Sequence, residues 1–200
     1  MTRIPKIIHQ IWIGQEEMPQ YCKHFIQEMQ NKHSDYEYIL WGNELYDKYK
    51  NDKFIQNYKK KEKLFKPAYI SDRFRLLLLK EYGGIYVDVD ARIIRSFNNI
   101  LDKLDNHTDF FAGMREKENR GALIDITAMG SVKNGRIINE CLTTYKNINF
   151  ANGGKIFSNK IITVIDTDVT LFNYTYFYDN KVTTNTIILH DQFRLFSWNK

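Results

Sequence analysis

The sequence predicts an α/β protein with a β-rich C-terminal part. Short β-branched apolar runs alternate with helix-like segments in the first half of the 200 residues, and strand-like runs predominate in the second half. The composition adds a third observation. With 43% hydrophobic and 14% aromatic residues, the chain has enough apolar surface to bury one core, so we expect residues 1–200 to form a single domain.

Two strands and two helices are predicted before Gly83. The apolar run Ile4–Ile13 is rich in β-branched residues, and Tyr36–Trp41 alternates aromatic and aliphatic residues, so both are typical of strands. A short helix is predicted over residues 19–30. The clearest helix begins at Pro67, because apolar residues recur at helical spacing until Gly83 ends the element.

After Gly84, the chain is predicted to contain one helix, over Gly135–Asn147, among several strands. The run Ile85–Ile94 is β-branched and is interrupted by two carboxylates, which still favours a strand. The further predicted strands or hairpins are Phe110–Met114, Leu123–Met129, Lys155–Ile165, Thr170–Tyr178 and Val182–Leu189.

Charge and cysteine content narrow the class of protein. No apolar run reaches the roughly 18 residues that span a bilayer, and the first residues do not resemble a secretion signal. Cys22 and Cys141 cannot form a disulfide framework or a zinc site, so we expect a cytoplasmic protein. The lysines between Lys48 and Lys66 predict a solvated helical face, with contact to an anionic membrane as the alternative.

The pattern Asp88-Val89-Asp90 is the first candidate for chemistry. In a strand, Tyr86, Asp88 and Asp90 would share one face, with the two carboxylates roughly 7 Å apart. Like charges at this distance favour a bound cation, and Mg²⁺ or Mn²⁺ prefers such oxygen ligands. Two surface aspartates at the end of a strand are the alternative interpretation.

A second candidate lies on the helix that begins at Pro67. Asp72 and Arg75 are three residues apart and therefore neighbours on the helix surface. The alternative for this pair is an ordinary surface ion pair. Arg73 belongs to no such pair, so we expect it to be solvated or loosely paired.

Three segments carry a family resemblance: IPKIIHQIWIG, PAYISDRFRLLLLKEYGGIYVDVD and LHDQFRLFSW. Together they resemble the glycosyltransferase family with a DxD sugar-binding region, which includes Och1-like mannosyltransferases and bacterial capsular-polysaccharide transferases. The catalytic domains of clostridial glucosylating toxins are more distant relatives. The resemblance implies a GT-A-like nucleotide-sugar-binding fold, with a mixed central sheet flanked by helices.

The resemblance also implies roles for residues that bind the donor. Trp12 matches the aromatic residue on which the nucleotide base stacks, whereas a lone tryptophan is otherwise a core residue. Asp72 and Arg75 match residues that hold the sugar and ribose hydroxyls. Asp125 stands where the family often has Asn, so it is a candidate without an assigned role.

Metal and diphosphate contacts are implied at two places. Asp90 matches the aspartate that binds the metal directly, and Asp88 matches the one that contacts the ribose or the metal's water shell. His190, Ser197 and Trp198 match a C-terminal segment that folds over the diphosphate, with His190 as an additional metal or phosphate contact.

The function implied by the resemblance is retaining transfer of a hexose from a nucleotide diphosphate sugar to a glycan or glycolipid, in surface polysaccharide synthesis. A UDP-hexose is the favoured donor, GDP-mannose the second, and Mn²⁺ or Mg²⁺ the cofactor. We expect no nucleic acid partner and a cytoplasmic location that can include the inner membrane face. A metal-dependent phosphodiesterase or nuclease and a non-catalytic nucleotide- or carbohydrate-binding module are the alternatives.

Overall fold

The computed structural model describes residues 3–64, 67–115, 123–144, 159–177 and 182–189. The strands are β1 (Ile7–Ile11), β2 (Glu37–Trp41), β3 (Gly84–Val87), β4 (Arg92–Ile93), β5 (Phe110–Arg115), β6 (Leu123–Ser131), β7 (Val169–Phe172) and β8 (Ile188–Leu189). The helices are α1 (Gln20–Lys32), α2 (Glu44–Lys48), α3 (Lys53–Lys59), α4 (Pro67–Tyr82), α5 (Asn98–Leu101), α6 (Arg136–Thr144) and α7 (Tyr174–Phe177), and a 3-10 turn covers Glu62–Leu64.

Six strands form a mixed sheet in the order β2-β1-β3-β6-β5-β7. Strand β1 runs parallel to both β2 and β3, whereas β6 is antiparallel to β3 and to β5. Strands β4 and β8 form a separate two-stranded sheet. The predicted mixed central sheet is therefore confirmed.

Two hydrophobic cores cover the two faces of the large sheet. One core packs α2, α3, α4 and α6 against side chains such as Ile11 and Tyr86. The other packs α1, α5, α7 and the small sheet against Ile8, Ile85 and Val87. As the alternation of strand residues predicted, Ile85 and Val87 face one core and Tyr86 the other. Helices thus flank the sheet on both faces.

Helix α4 has the bounds that the sequence predicted. Its last residue is followed by Gly83 at φ +70° and Gly84 at φ +93°, in the left-handed region that favours glycine. A Cβ on Gly84 would lie 2.6 Å from the carbonyl oxygen of Ile7. The two glycines therefore let the chain turn from α4 directly into β3, next to β1.

Several predicted strands differ from the structure. The run Ile85–Ile94 is not one strand, since β3 ends at Val87 and β4 begins only at Arg92. Within the predicted strand Lys155–Ile165, residues 159–163 are helical, and residues 155–158 lie outside the described part. In residues 159–163, the packing of Ile161 into the core with α4 and α6 overrides the strand propensity of the β-branched residues.

The remaining C-terminal predictions hold in part. Thr170–Tyr178 divides into β7 and α7, and only the last two residues of Val182–Leu189 form a strand. None of the helices in the described segments is both long and apolar enough to cross a bilayer.

Candidate active site

The candidate site lies where two parallel strands end. Because β1 and β3 are parallel neighbours, the residues after Ile11 and after Val87 reach the same edge of the sheet. Ligands of open α/β sheets bind at this kind of edge. The side chain of Gln10 links the two strand ends, since its Nε2 donates to the carbonyl oxygen of Asp88 at 3.2 Å.

Helix α4 brings its first half to this edge. It ends at the start of β3 and packs back along the sheet, so its N-terminal turns lie beside the carboxyl end of β3. A Cβ on Gly14, which follows β1, would lie 3.2 Å from the Pro67 ring. This placement carries Asp72 and Arg75 to the residues that follow β3.

The motif Asp88-Val89-Asp90 forms a turn rather than a strand. The amide of Asp88 donates to the carbonyl of Thr127 at 2.8 Å, and the amide of Ala91 donates back to the carbonyl of Asp88 at 3.1 Å. The expectation that both carboxylates share one strand face is therefore wrong. The turn frees the two aspartates from strand alternation, because residues in a turn do not follow the period of two.

Arg75 holds Asp72 and Asp88 together. Its Nη2 lies 3.0 Å from Oδ1 of Asp72 and 3.2 Å from Oδ1 of Asp88, and its Nη1 donates to the carbonyl of Ile126 at 2.7 Å. Only 6% of the Arg75 side chain is exposed. The surface ion pair considered for Asp72 and Arg75 is thus part of a three-residue cluster, in which a buried guanidinium fixes two half-buried carboxylates.

Tyr86 contacts both Arg75 and Asp88 of this cluster. The Arg75 guanidinium carbon lies 4.3 Å above the Tyr86 ring, and the Tyr86 hydroxyl donates to Oδ1 of Asp88 at 2.7 Å. Burial raises the pKa of Tyr86 well above its usual value, although the charge of Arg75 opposes that shift. The phenol therefore stays protonated and remains a hydrogen-bond donor to Asp88.

Asp90 faces a different helix from Asp88. Its side chain is buried, and its negative charge contributes to the raised pKa values of Tyr21 and Cys22 on α1. For both residues burial is the larger cause, and it raises the Tyr21 pKa to about 12 and the Cys22 pKa to about 11. Asp90 thus lies on the α1 side of the motif and Asp88 on the α4 side.

A divalent cation fits these donors only with help from other ligands. Asp88 and Asp90 supply the carboxylate oxygens that Mg²⁺ and Mn²⁺ prefer. The described residues contain no cluster of three His, Cys, Asp or Glu side chains that could hold a metal. A cation held by the two aspartates would take its other ligands from water and a bound diphosphate, as Mg²⁺ in nucleotide enzymes does.

Trp12 lies at the same edge of the sheet, immediately after β1. Its amide donates to the carbonyl of Trp41 at 2.8 Å, and its indole Nε1 donates to the carbonyl of Glu16 at 3.0 Å. The side-chain amide of Asn43 bonds both the amide and the carbonyl of Gly14, which fixes this loop. Trp12 is half-buried and belongs to neither of the two cores that the described residues form.

A bulge in β6 turns backbone carbonyls toward the cluster. The pairing of β6 with β5 shifts at this point, from Met129 opposite Ala112 to Asp125 opposite Gly113. The carbonyl of Ile126, inside the shifted segment, accepts from Arg75. Asp125 is buried, and its Oδ1 accepts from the amide of Thr127 at 2.8 Å, so this carboxylate bonds its own strand.

Arg73 was expected to be solvated or loosely paired, and this is wrong. Its Nη2 bonds Oδ2 of Asp52 at 2.6 Å, and its Nη1 donates to the carbonyl of Leu142 at 3.0 Å. Its side chain is only 8% exposed. The i,i+3 rule considers neighbours on one helix and therefore could not reveal partners on α3 and α6.

Two residues of the site were not assigned a role from the sequence, Gln10 and Tyr86. Gln10 is a polar residue in an apolar strand, and Tyr86 shares its predicted strand face with the DxD motif. Both patterns could have indicated a buried polar contact. The other predicted residues, His190, Ser197 and Trp198, lie outside the described part of the chain.

Comparison with known proteins found a family model that matches the region around this site. Residues 19–107 match the model of a glycosyltransferase sugar-binding region containing a DXD motif. The matched region contains α1, α4, β3 and the turn Asp88–Asp90. It therefore includes the aspartates and the arginine of the cluster.

Yeast proteins with related sequences carry mannosyltransferase names. Over 135 residues the chain is 33% identical to mannosyl phosphorylinositol ceramide synthase SUR1 of Saccharomyces cerevisiae, covering 64% of this chain and 31% of that protein. Over 114 residues it is 26% identical to inositol phosphoceramide mannosyltransferase 1 of Schizosaccharomyces pombe, covering 52% and 33%. The chain thus spans less than half the length of these relatives.

Solved glycosyltransferase structures share the fold. PaToxG glycosyltransferase superposes with a TM-score of 0.61 at 20% identity, over 81% of this chain and 70% of that one. A glycosyltransferase involved in glycosylation of the major capsid of PBCV-1 gives a TM-score of 0.59 at 10% identity, over 94% and 93%. In its matched region and in its relatives, the chain is similar to the glycosyltransferase family whose sugar-binding region contains the DXD motif.

Proposed function

We propose that the protein transfers a hexose from a nucleoside diphosphate sugar to a glycolipid or glycan acceptor. The observation that carries this proposal is the cluster in which the buried Arg75 joins Asp72 to Asp88 of the DxD turn. The names of the yeast relatives favour mannose as the hexose and a phosphorylated inositol lipid as a model for the acceptor. GDP-mannose is therefore tested beside the UDP-hexoses that the sequence favoured.

Asp88 and Asp90 are the residues that would hold a divalent cation. When bound, such a cation stabilises the negative charge that develops on the departing nucleoside diphosphate. Arg75 fixes the position of Asp88 before the donor arrives, since its guanidinium is already bonded to both carboxylates. Preorganisation of this kind lowers the barrier because no reorientation is needed during the reaction.

Donor binding would use Asp72 and Trp12. Asp72 is held at the edge of the site by Arg75 and can accept hydrogen bonds from sugar hydroxyls. Trp12 is half-buried after β1, and an indole face of this kind can stack on a nucleotide base of any identity. Both residues would orient the donor, and orientation alone lowers the barrier of a two-substrate reaction.

The proposed transfer retains the configuration of the anomeric carbon. The acceptor hydroxyl oxygen bonds to that carbon on the face from which the diphosphate departs, and the bond from carbon to phosphate oxygen breaks. The acceptor proton passes to the departing phosphate oxygen. This route requires no protein nucleophile or general base.

The two alternative functions, a phosphodiesterase and a non-catalytic binding module, make different predictions about metal ligands and donor turnover. A two-metal phosphodiesterase needs more carboxylates or histidines around the metals than the described residues bring together. A non-catalytic binding module would bind nucleotide or sugar without turning the donor over. Donor hydrolysis in the absence of an acceptor separates the module from the transferase.

The test combines ligand binding with donor turnover. Mn²⁺ together with GDP-mannose or a UDP-hexose is expected to raise the Tm, and slow hydrolysis of that donor is expected to follow. Asp90→Asn should abolish both effects, whereas Asp47→Asn, a matched change at an exposed aspartate of α2, should leave both unchanged. If Asp90→Asn binds and hydrolyses the donor as well as the parent protein does, the proposed site is wrong.

A further inference from the structure

The positive charge of the chain is concentrated in one short segment. Residues 53–63 contain five lysines and one glutamate, a net charge of +4, while the whole chain carries +5. The five lysines are Lys53, Lys59, Lys60, Lys61 and Lys63. We call residues 53–63 the basic segment.

The fold exposes these lysines and buries the apolar residues between them. All five lysines are exposed, whereas Phe54, Ile55 and Tyr58 pack into the core with α4. Lys59 lies 5.5 Å from the Tyr46 ring, and the described residues provide no carboxylate within ion-pair distance of any of the five lysines. Their charge is therefore available to an external anion.

The basic segment is anchored to the helix that carries the candidate site. The Asp52 carboxylate caps α3 by accepting from the amides of Phe54 and Ile55, and it also binds Arg73 on α4. Arg73 is the chain neighbour of Asp72. The segment ends in the 3-10 turn Glu62–Leu64, only a few residues before Pro67, so it flanks the N-terminal end of α4.

We propose that the basic segment docks the protein on an anionic lipid surface, so that a glycolipid acceptor meets the site from the side of α4. This orientation toward an acceptor rests on the proposed function. Clusters of lysines near a membrane bind anionic lipids, and each lysine strengthens binding roughly fivefold. Among the described residues, the exposed large apolar side chains lie outside this segment. The contact is therefore electrostatic and does not involve insertion of side chains into the bilayer.

The side chains of the segment favour lipid over nucleic acid. Proteins that bind single-stranded nucleic acid combine positive charge with exposed aromatic side chains on which bases stack. In the basic segment the aromatic residues Phe54 and Tyr58 are buried, and the cations are all lysine. Lysine binds anionic headgroups as a point charge and lacks the planar fork that reads base edges.

The experiment measures binding of the full chain to vesicles of phosphatidylcholine, with and without phosphatidylglycerol. The parent protein is expected to bind only the vesicles with phosphatidylglycerol, and high salt should release it. Replacing Lys60, Lys61 and Lys63 with Gln should weaken binding about 100-fold. The matched control replaces the exposed Lys32, Lys80 and Lys133 with Gln, which removes the same net charge and should change binding by less than about threefold.

Equal loss in the two triple variants would overturn the proposal, because net charge rather than the segment would then control binding. Stronger binding of a polyuridylate probe than of the vesicles would overturn it in favour of nucleic acid. Donor hydrolysis without vesicles should be the same in the parent and in the first triple variant, and a loss there would assign the lysines to the donor site instead. If the parent protein binds the vesicles but does not hydrolyse the donor, the proposed function is wrong and the docking proposal stands.

Discussion

Arg73 and Arg75 lie two residues apart on α4, and both side chains are almost fully buried against carboxylates. Arg73 binds Asp52, which caps α3, and a carbonyl at the end of α6. Arg75 binds Asp72 and Asp88 at the edge of the sheet where β3 ends. The same residue type thus joins helices at one position and builds the candidate site at the other.

The difference teaches that burial and pairing alone do not identify a functional arginine. Both arginines satisfy those criteria equally well. The location of the partners separates them: those of Arg73 belong to α3 and α6, whereas Asp88 is part of the DxD turn. The predictions below test this division between contacts that hold the fold and contacts that build the site.

The largest expected effect comes from Arg75→Met. It removes the buried cation between Asp72 and Asp88, which leaves two half-buried carboxylates facing each other without it. We expect the free energy of unfolding to fall by about 3 to 5 kcal/mol. Donor hydrolysis per folded molecule should fall by about 100-fold or more, since Asp88 is no longer fixed. Chemical denaturation and a donor-hydrolysis assay measure the two effects.

Arg73→Met is the matched control for that variant. It breaks the buried pair with Asp52, so a similar loss of about 3 to 5 kcal/mol in unfolding free energy is expected. Hydrolysis per folded molecule should stay within about twofold of the parent protein, because no site residue loses its partner. An equal loss of hydrolysis in both variants would show that the division between the two arginines is wrong.

The pH dependence of stability tests a contact that holds the fold, that of His9. His9 is fully buried: its Nε2 bonds the Gly83 carbonyl at 2.9 Å, and its Nδ1 accepts from the Trp41 indole at 3.1 Å. Burial lowers the pKa of His9 to about 4 from an ordinary 6.5. The unfolded chain therefore binds a proton at a higher pH than the folded chain does.

It follows that the contribution of His9 to stability is complete above pH 6.5 and is lost as the pH falls toward 4. The loss amounts to about 3 kcal/mol across that window. Denaturation curves of the parent and of His9→Gln should converge as the pH decreases through it. Curves that stay equally far apart across this window would contradict the role given to His9.

A smaller effect, on nucleotide affinity, is expected at Trp12, which lies in the candidate site. Trp12→Ala removes the surface proposed for base stacking and should weaken nucleotide binding by about 2 kcal/mol, or roughly 30-fold. The fold should persist, because Trp12 is only half-buried. Calorimetric titration with GDP and UDP measures the affinity. Loss of the folded state would instead make Trp12 a core residue.

The smallest effect is expected at Gln10. Its Nε2 holds the Asp88 carbonyl, and its Oε1 accepts from the Tyr38 hydroxyl at 2.6 Å. Gln10→Leu should loosen the DxD turn and weaken metal-dependent donor binding by about 1 kcal/mol, or roughly fivefold. Titration of the donor at several Mn²⁺ concentrations measures this change.

Tyr38→Phe is the control for Gln10, because it removes the outer hydroxyl but keeps the bond from Gln10 to Asp88. Its donor affinity should stay within about twofold of the parent value. Equal effects of the two changes on donor affinity would indicate that Gln10 acts through general packing rather than through the turn.

The sequence was sufficient to predict the bounds of α4 and the positions of β1 and β2. Pro67 and Gly83 mark the ends of α4 because proline suits the first helical turn and glycine adopts the positive φ that follows the last. The alternation of Ile85, Tyr86 and Val87 predicted which side chain faces which core. These features depend on local backbone geometry and periodicity, which short segments of sequence contain.

Tertiary structure decided the partners of each charged side chain. Arg73 and Arg75 lie two residues apart on the same helix, and only the packing of α3, α6 and β6 gives them different partners. The turn at Asp88–Asp90 likewise depends on the bulge in β6, which lies some 40 residues later in the chain. Contacts between distant segments are not encoded in the periodicity of either one, so the sequence determined the elements and the packing determined the site.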